Sequence, residues 1–175
     1  KSSDVTKMVK AYTLVAETCD YPLHLGVTEA GTERSALIKS SIGIGSLLLN
    51  GIGDTIRVSV TDTPVKEVYA GFDILKALNM RVETPQIVSC PTCGRTKIDL
   101  VRLAGEVENA VRDIHKPIKI AVMGCAVNGP GEAREADIGV AGGDGCGIIF
   151  KNGEILRKVE EKDIVSELLK EIEKI

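Results

Sequence analysis

Three cysteines stand where thiols can act together. Cys90 and Cys93 form a C-P-T-C step directly after a short apolar run, and Cys125 lies in M-G-C-A-V-N-G-P-G-E. Two thiolates at that spacing can converge on one soft metal centre. A third, from a distant glycine-rich loop, makes an iron–sulfur cluster the chemistry to consider first. Spacing alone leaves the fourth ligand open. Cys146, in G-G-D-G-C-G-I, would complete an all-thiolate set. Glu132 lies in the same loop as Cys125, where Gly129, Pro130 and Gly131 would let the backbone approach closely. The chemistry favours glutamate. A cluster saturated by thiolates suits electron transfer, whereas a carboxylate is harder and more easily displaced, so one iron can open to a substrate oxygen. A structural zinc site on the same thiols is a third reading, weakened by the long gaps and the missing second C-x-x-C.

The elements that must position these residues follow from periodicity. Ile87–Ser89 reads as a short strand ending at Cys90, and Ile118–Met123 as a buried strand ending just before Gly124-Cys125. Neighbouring parallel strands bring their ends to one edge, so all three thiols can face one point. Thr96 and Asp99 read as a capping box for a helix bearing Leu100, Leu103, Ala104, Val107, Val111 and Ile114. That helix is expected to begin just past Cys93, with its dipole end toward an anionic cluster. Asp137–Ala141 is a further strand. Gly147–Phe150 and Glu154–Arg157 pair around Asn152-Gly153, a strong hairpin signal. A last amphipathic helix spans Asp163–Ile175, after an Arg157–Lys162 charge run expected to face solvent.

The first half alternates helix and strand. Asp4 caps a helix with Val5, Met8, Val9, Tyr12, Val15, Ala16 and Cys19 on one stripe. Leu23–Val27 is a strand, Glu33–Leu49 a helix closed by Asn50-Gly51, and Ile56–Val60 a strand. Thr63 and Pro64 then start a helix with Val65, Val68, Tyr69, Phe72, Leu75 and Leu78 on one face. Such alternation implies parallel strands with helical crossovers. Two strands neither close a barrel nor make a stable sheet, so this half is expected to be part of a larger α/β domain. Asn79–Gln86 reads as a linker. The organisation is thus residues 1–80 and 85–175.

Bulk properties exclude several classes. The net charge is −3 and aromatics make up only 3% of residues, so nucleic acid is not an expected partner. No apolar run is long enough to span a bilayer, and the opening KSSDVTKMVK lacks the apolar core of a signal peptide. Five cysteines without a secretory signal argue for metal or cluster chemistry in the cytoplasm rather than disulfides.

Several motifs carry a family resemblance. C-P-T-C-G-R-T at 90–96 and M-G-C-A-V-N-G-P-G-E-A-R-E-A-D-I-G-V-A-G-G at 123–143 resemble the cluster domain of 4-hydroxy-3-methylbut-2-enyl diphosphate synthases. So do K-S-S-D-V at 1–5, P-L-H-L-G-V-T-E-A-G at 22–31 and G-I-G-D-T-I-R-V-S-V-T at 51–61. The resemblance implies an α/β architecture: the last part of a TIM barrel over residues 1–80, then a small α/β iron–sulfur domain. It implies a [4Fe–4S] cluster held by Cys90, Cys93, Cys125 and Glu132. It further implies reductive ring opening of 2-C-methyl-D-erythritol 2,4-cyclodiphosphate to 4-hydroxy-3-methylbut-2-enyl diphosphate in non-mevalonate isoprenoid synthesis. Ferredoxin or flavodoxin would donate the electrons, and a homodimer is expected. With most of a barrel missing from these residues, the chain is expected to be inactive alone. The competing function is an electron-transfer module with Cys146 as the fourth thiolate.

Barrel sites gather at strand C-termini. Glu29, after the Leu23–Val27 strand, is the candidate proton donor; capping the following helix is its plain alternative. Lys1 and Arg57 would grip the diphosphate by charge, and Ser59 by its hydroxyl. His24 is expected to be structural, and His115 to sit at a helix C-terminus.

Overall fold

The computed structural model describes residues 1–126 and 134–175. The chain divides into two compact units, Lys1–Arg81 and Val82–Ile175.

The first unit runs α1 (Val5–Thr18), β1 (His24–Gly26), α2 (Glu33–Leu49), β2 (Thr55–Arg57) and α3 (Pro64–Ala77). The Asp4 carboxylate accepts the Lys7 amide at 3.0 Å and starts α1 as its sequence foretells. β1 and β2 pair in parallel, and an isolated parallel bridge joins Ser2 to Val27 on the other side of β1. The described residues form a mixed α/β unit with no closed barrel. Its core sets Leu25, Val27, Val58 and Val60 against Met8, Ala36, Ile44, Leu47 and Ile74 of the helices. Close approach of α2 to β1 requires Gly43: a Cβ there would stand 3.0 Å from Val27 Cγ2.

Two expectations fail in this unit. The second strand ends at Arg57 rather than Val60, although Val58 and Val60 stay buried and the Val60 amide donates to Glu67 Oε1 at 3.0 Å. More consequentially, α3 packs through Ala70, Gly71 and Ile74, with only Leu75 and Leu78 of its expected apolar stripe joining the core. Val65, Val68, Tyr69 and Phe72 are exposed, with Arg81 stacked 4.6 Å from the Phe72 ring centroid. Small residues let the helix sit directly on Ile56 and Val58, so the seat on β2 goes to them. Thr63 stands at the N-cap without a side-chain capping bond.

The second unit contains β3 (Gln86–Ser89), α4 (Leu100–Val111), β4 (Lys119–Met123), β5 (Ile138–Gly143), β6 (Cys146–Lys151), β7 (Glu154–Glu160) and α5 (Ile164–Ile172), with a 3-10 turn at Glu161–Asp163. The five strands form one sheet in chain order. β3, β4 and β5 are parallel; β5, β6 and β7 are antiparallel. Asn152 and Gly153 both take positive φ, 50° and 81°, as the two-residue hairpin demands. Asp144-Gly145 turns a second hairpin between β5 and β6, two strands that the sequence separates without revealing that they pair. Helices α4 and α5 cover one face of the sheet through Leu103, Val107, Ile164 and Leu168 against Ile120, Val122, Ile138 and Val140. The other face holds Ala121, Met123, Ala141 and Phe150.

Arg157 is no solvated bystander in a charge run. Its guanidinium joins Glu167 and Glu171 of α5, each at 2.7 Å, and the Glu171 side chain is only 8% exposed. Lys170 and Lys174 complete the network. His115 is exposed and lies beyond the last turn of α4, which ends at Val111, so the expected dipole contact does not form.

Candidate functional site

The cysteine site is built on the C-terminal edge of two parallel strands. Ser89 of β3 is level with Val122 of β4, so Cys90 and the Gly124-Cys125 step emerge side by side. The Gly124 amide donates to Cys90 Sγ at 3.2 Å. Cys90 is half-buried and Cys125 buried. The loop carrying Cys93 folds back on the same point. Its Thr96 amide donates to the Cys93 carbonyl at 3.0 Å, and the Lys97 amide to the Gly124 carbonyl at 2.9 Å. Gly124 has no room for a side chain: a Cβ would lie 3.0 Å from both Cγ2 and Oγ1 of Thr96. Gly124 is therefore the hub that holds the three cysteine segments together.

Local electrostatics favour the thiolate at Cys93. Cys93 is exposed, and its thiol is held below the usual cysteine range, first by the Arg95 backbone amide and then by the Arg95 side chain. An N–H donor on Cys90 and a cation beside Cys93 are what sulfur ligands of a cluster need. None of the cysteines is in a disulfide. Among the described residues, no three His, Cys, Asp or Glu side chains stand together as a finished metal site. Glu132, with Gly129, Pro130 and Gly131, lies outside the described residues. The donor set of soft, unpaired thiols fits an iron–sulfur group.

Two sequence expectations about this site need correction. Thr96 is not half of a capping box. Its Oγ1 accepts the Cys93 amide at 3.1 Å, and Asp99 alone caps α4 by accepting the Arg102 amide at 3.2 Å. Second, α4 begins at Leu100, well past Cys93, and its positive end is met by the Asp99 carboxylate. Thr96 serves the cysteine loop because the chain must turn back to Gly124 before it can enter the helix. Cys146 faces a different neighbour: its Sγ would lie 2.8 Å from a Cβ on Gly143, its cross-strand partner. Cys19 ends α1 at the C-cap and is half-buried, with its thiol on the Val15 carbonyl.

The first unit gathers the other candidates on one strand face. Leu25, Val27, Val58 and Val60 point into the helix-side core. Alternation places Gly26, Arg57 and Ser59 on the opposite face. Gly26 pairs with Arg57, and the aliphatic stem of Lys1 lies across Gly26, its Cε 3.3 Å from where a Cβ would stand. Lys1 and Arg57 thus flank a glycine that makes room for one of them. Glu29 is exposed in the loop after β1 and adopts φ 52°, a left-handed conformation that costs a non-glycine residue about 1–3 kcal/mol. Strain of this kind concentrates at functional sites. The helix cap position belongs to Thr32, so Glu29 is not the cap. Thr61 donates to the Gly31 carbonyl at 2.9 Å and ties the segment after Ser59 to the loop of Glu29. His24 is structural: its Nδ1 lies 2.7 Å from Thr55 Oγ1, and its carbonyl accepts the Tyr12 hydroxyl at 2.6 Å. Burial pushes the Tyr12 phenol up, with the charge of Arg57 acting the other way.

The sequence reading missed Gly124, Arg95, Thr96 and Gly26 as parts of these sites. A glycine directly before Cys125 and an arginine two places after Cys93 were the available signals.

Comparison with known proteins follows the same division. The model of the GcpE TIM-barrel domain matches residues 1–72, and that of the GcpE protein C-terminal domain matches residues 86–174. The chain belongs to the GcpE family. Among its relatives, a protein of Caldanaerobacter subterraneus is 60% identical over 175 residues, covering 100% of this chain and 49% of the relative. One of Geobacter sulfurreducens is 59% identical over 175 residues, covering 100% and 50%. One of Thermodesulfovibrio yellowstonii is 54% identical over 174 residues, covering 99% and 50%. Each of the three is named 4-hydroxy-3-methylbut-2-en-1-yl diphosphate synthase (flavodoxin). The chain spans about half the length of these GcpE-family relatives. No helix among its described residues is long and apolar enough to cross a membrane.

Proposed function

We propose that the chain carries the iron–sulfur centre and part of the substrate site of a 4-hydroxy-3-methylbut-2-enyl diphosphate synthase. The reaction opens the ring of 2-C-methyl-D-erythritol 2,4-cyclodiphosphate. Two electrons and two protons enter, one oxygen leaves as water, and 4-hydroxy-3-methylbut-2-enyl diphosphate is the product. Cys90, Cys93, Cys125 and Glu132 would hold a [4Fe–4S] cluster, which when bound supplies the electrons. The observation that carries this reading is the Gly124 amide on Cys90 Sγ, which brings two widely separated cysteine motifs to one edge of the sheet. Identity of 54–60% to synthases over essentially the whole chain supports it.

The chain's own residues have separable tasks. Arg95 stabilises the Cys93 sulfur as thiolate, and the Gly124 amide orients Cys90 by donating to its Sγ. Lys1 and Arg57 offer cations to the diphosphate, and Ser59 a hydroxyl, from one strand face. Glu29, on the strained loop after β1, passes a proton to the departing oxygen. The electron donor is flavodoxin or ferredoxin, the assembly a homodimer, and the compartment the cytoplasm, where free thiols persist.

The test is strictly anaerobic reconstitution followed by iron, sulfide and zinc analysis. About four iron and four sulfide per chain are expected, lost in Cys93→Ser and kept in Cys146→Ala. Loss of the cluster in Cys146→Ala together with its retention in Glu132→Ala would favour the electron-transfer module. Zinc near one per chain without iron would overturn both.

A further inference from the structure

A groove of about 510 Å³ runs along the outer edge of the cysteine unit, between α4 and β3. β3 is the edge strand of its sheet, and Cys90 lines the groove together with Thr92. The walls are Ile87 and Ser89 on the strand and Val101, Ala104, Gly105 and, further along, the acidic Glu108 on the helix. Val101 is 73% exposed. Gly105 is the informative residue. It lies inside α4, where glycine is the poorest ordinary helix former. A Cβ at Gly105 would meet nothing within 4 Å, so the chain's own packing gives no reason for a glycine. The neighbouring groove residue, Ala104, is also small. Something outside the unit that closes on this wall would supply the reason.

Charge beside the groove points to the kind of partner. Arg102 is occupied by Asp99, Glu106 and Glu161. Arg95 and Lys97, on the loop that bears Cys93, pair with no carboxylate among the described residues. A largely apolar slot beside the Cys93 loop, where Arg95 is engaged with the Cys93 sulfur and Lys97 is left as a cation for a partner, suits an acidic protein that carries its redox group at the surface and meets that loop rather than the Glu108 end. A groove-to-groove contact between two copies of the chain fits poorly, because about its two-fold axis the same cations would face each other. The printed names of the relatives specify flavodoxin. We propose that the α4–β3 groove is the docking surface for a flavodoxin, whose flavin edge then lies next to Cys90. This rests on the reductive function proposed above and assigns it an entry point for electrons. Electron transfer falls steeply with distance, and Cys90 is the one cysteine that lines this groove.

Two variants test the surface without touching a cysteine or its hydrogen bonds. Gly105→Gln fills the groove from a position that is open in the free chain. Lys97→Glu reverses a cation while leaving the backbone amide on Gly124 in place. Flavodoxin binding to the chain is measured directly, by calorimetry or immobilised-partner kinetics, at low and moderate salt. Cluster reduction by flavodoxin hydroquinone is compared with reduction by dithionite. The expected result is at least a tenfold weaker association for Gly105→Gln. Lys97→Glu should lower the association rate and flatten its salt dependence. Dithionite reduction and iron content should remain those of the parent. Flavodoxin binding unchanged in both variants would overturn the proposal, as would self-association of the chain that Gly105→Gln abolishes. Absence of a cluster would instead sink the reductive reading, while the binding measurement still decides the surface.

Discussion

Gly124→Ala should loosen the cysteine site more than any other single-methyl change in its loop. The added Cβ would stand 3.0 Å from Thr96 Cγ2 and Oγ1 and 3.2 Å from Leu100 Cδ2. Leu100 is buried in the first turn of α4 and cannot retreat freely. Thr96 must therefore move, and its Oγ1 holds the Cys93 amide at 3.1 Å. The Lys97 amide on the Gly124 carbonyl would shift with it. Overpacking by one methyl costs about 1–3 kcal/mol. Weakening one side-chain hydrogen bond adds roughly 0.5–1.5 kcal/mol. The expected loss is about 1.5–4.5 kcal/mol in the second unit. Gly94→Ala is the matched control, because a Cβ there meets nothing within 4 Å. Amide hydrogen exchange of Lys97 and urea unfolding of the apo chain report the effect, and the rate of iron loss to a chelator reports its consequence. Gly124→Ala should speed all three and Gly94→Ala none. Equal stability and equal Lys97 protection in the two variants would refute the idea that Gly124 clamps the cysteine loop.

Two further outcomes follow from the electrostatics. In the apo chain, iodoacetamide at neutral pH should modify Cys93 ahead of Cys125, since the former is exposed with a lowered thiol and the latter is buried. Peptide mass mapping over time checks the order, and a reconstituted cluster should protect both. The Glu171 carboxyl is held below its ordinary range by Lys174 and Arg157, and that of Glu167 by Lys170 and Arg157. A depressed folded-state value contributes stability above the unfolded carboxylate range, and that contribution is lost as pH falls through the folded value. Arg157→Met should therefore lower the melting temperature at neutral pH and flatten its fall on the acid side, as read by thermal scans across pH.

Much of the local structure was legible because local chemistry decides it. Asp4, Asn50-Gly51 and Asn152-Gly153 each set an element boundary through a cap or a turn within a few residues. The two-unit division follows a change of pattern near residue 80. The face of α3 was legible only at Leu75 and Leu78. Val65, Val68, Tyr69 and Phe72 make an apolar stripe on any helical projection, but which side meets β2 depends on how close the backbones come. Ala70 and Gly71 win that contact by size. Thr96 misled for a similar reason: the spacing fits a capping box, yet the hydroxyl is drawn to Cys93 by a turn that only the return to Gly124 requires.

By itself the sequence determined the chemistry available to this protein: soft thiols in two motifs, basic and hydroxyl groups on strand ends, and elements of the right kind to carry them. Donor identity is a property of residue types, and helix and hairpin limits are properties of neighbours along the chain. Only the tertiary structure decided that the Cys90 thiol meets the Gly124 amide next to Cys125, that Lys1 crosses Gly26 beside Arg57, and that Glu29 sits on a strained turn. Those facts depend on strand order, register and close packing between residues far apart in sequence. No local pattern encodes them, because the energies that fix them arise only when the strands are side by side.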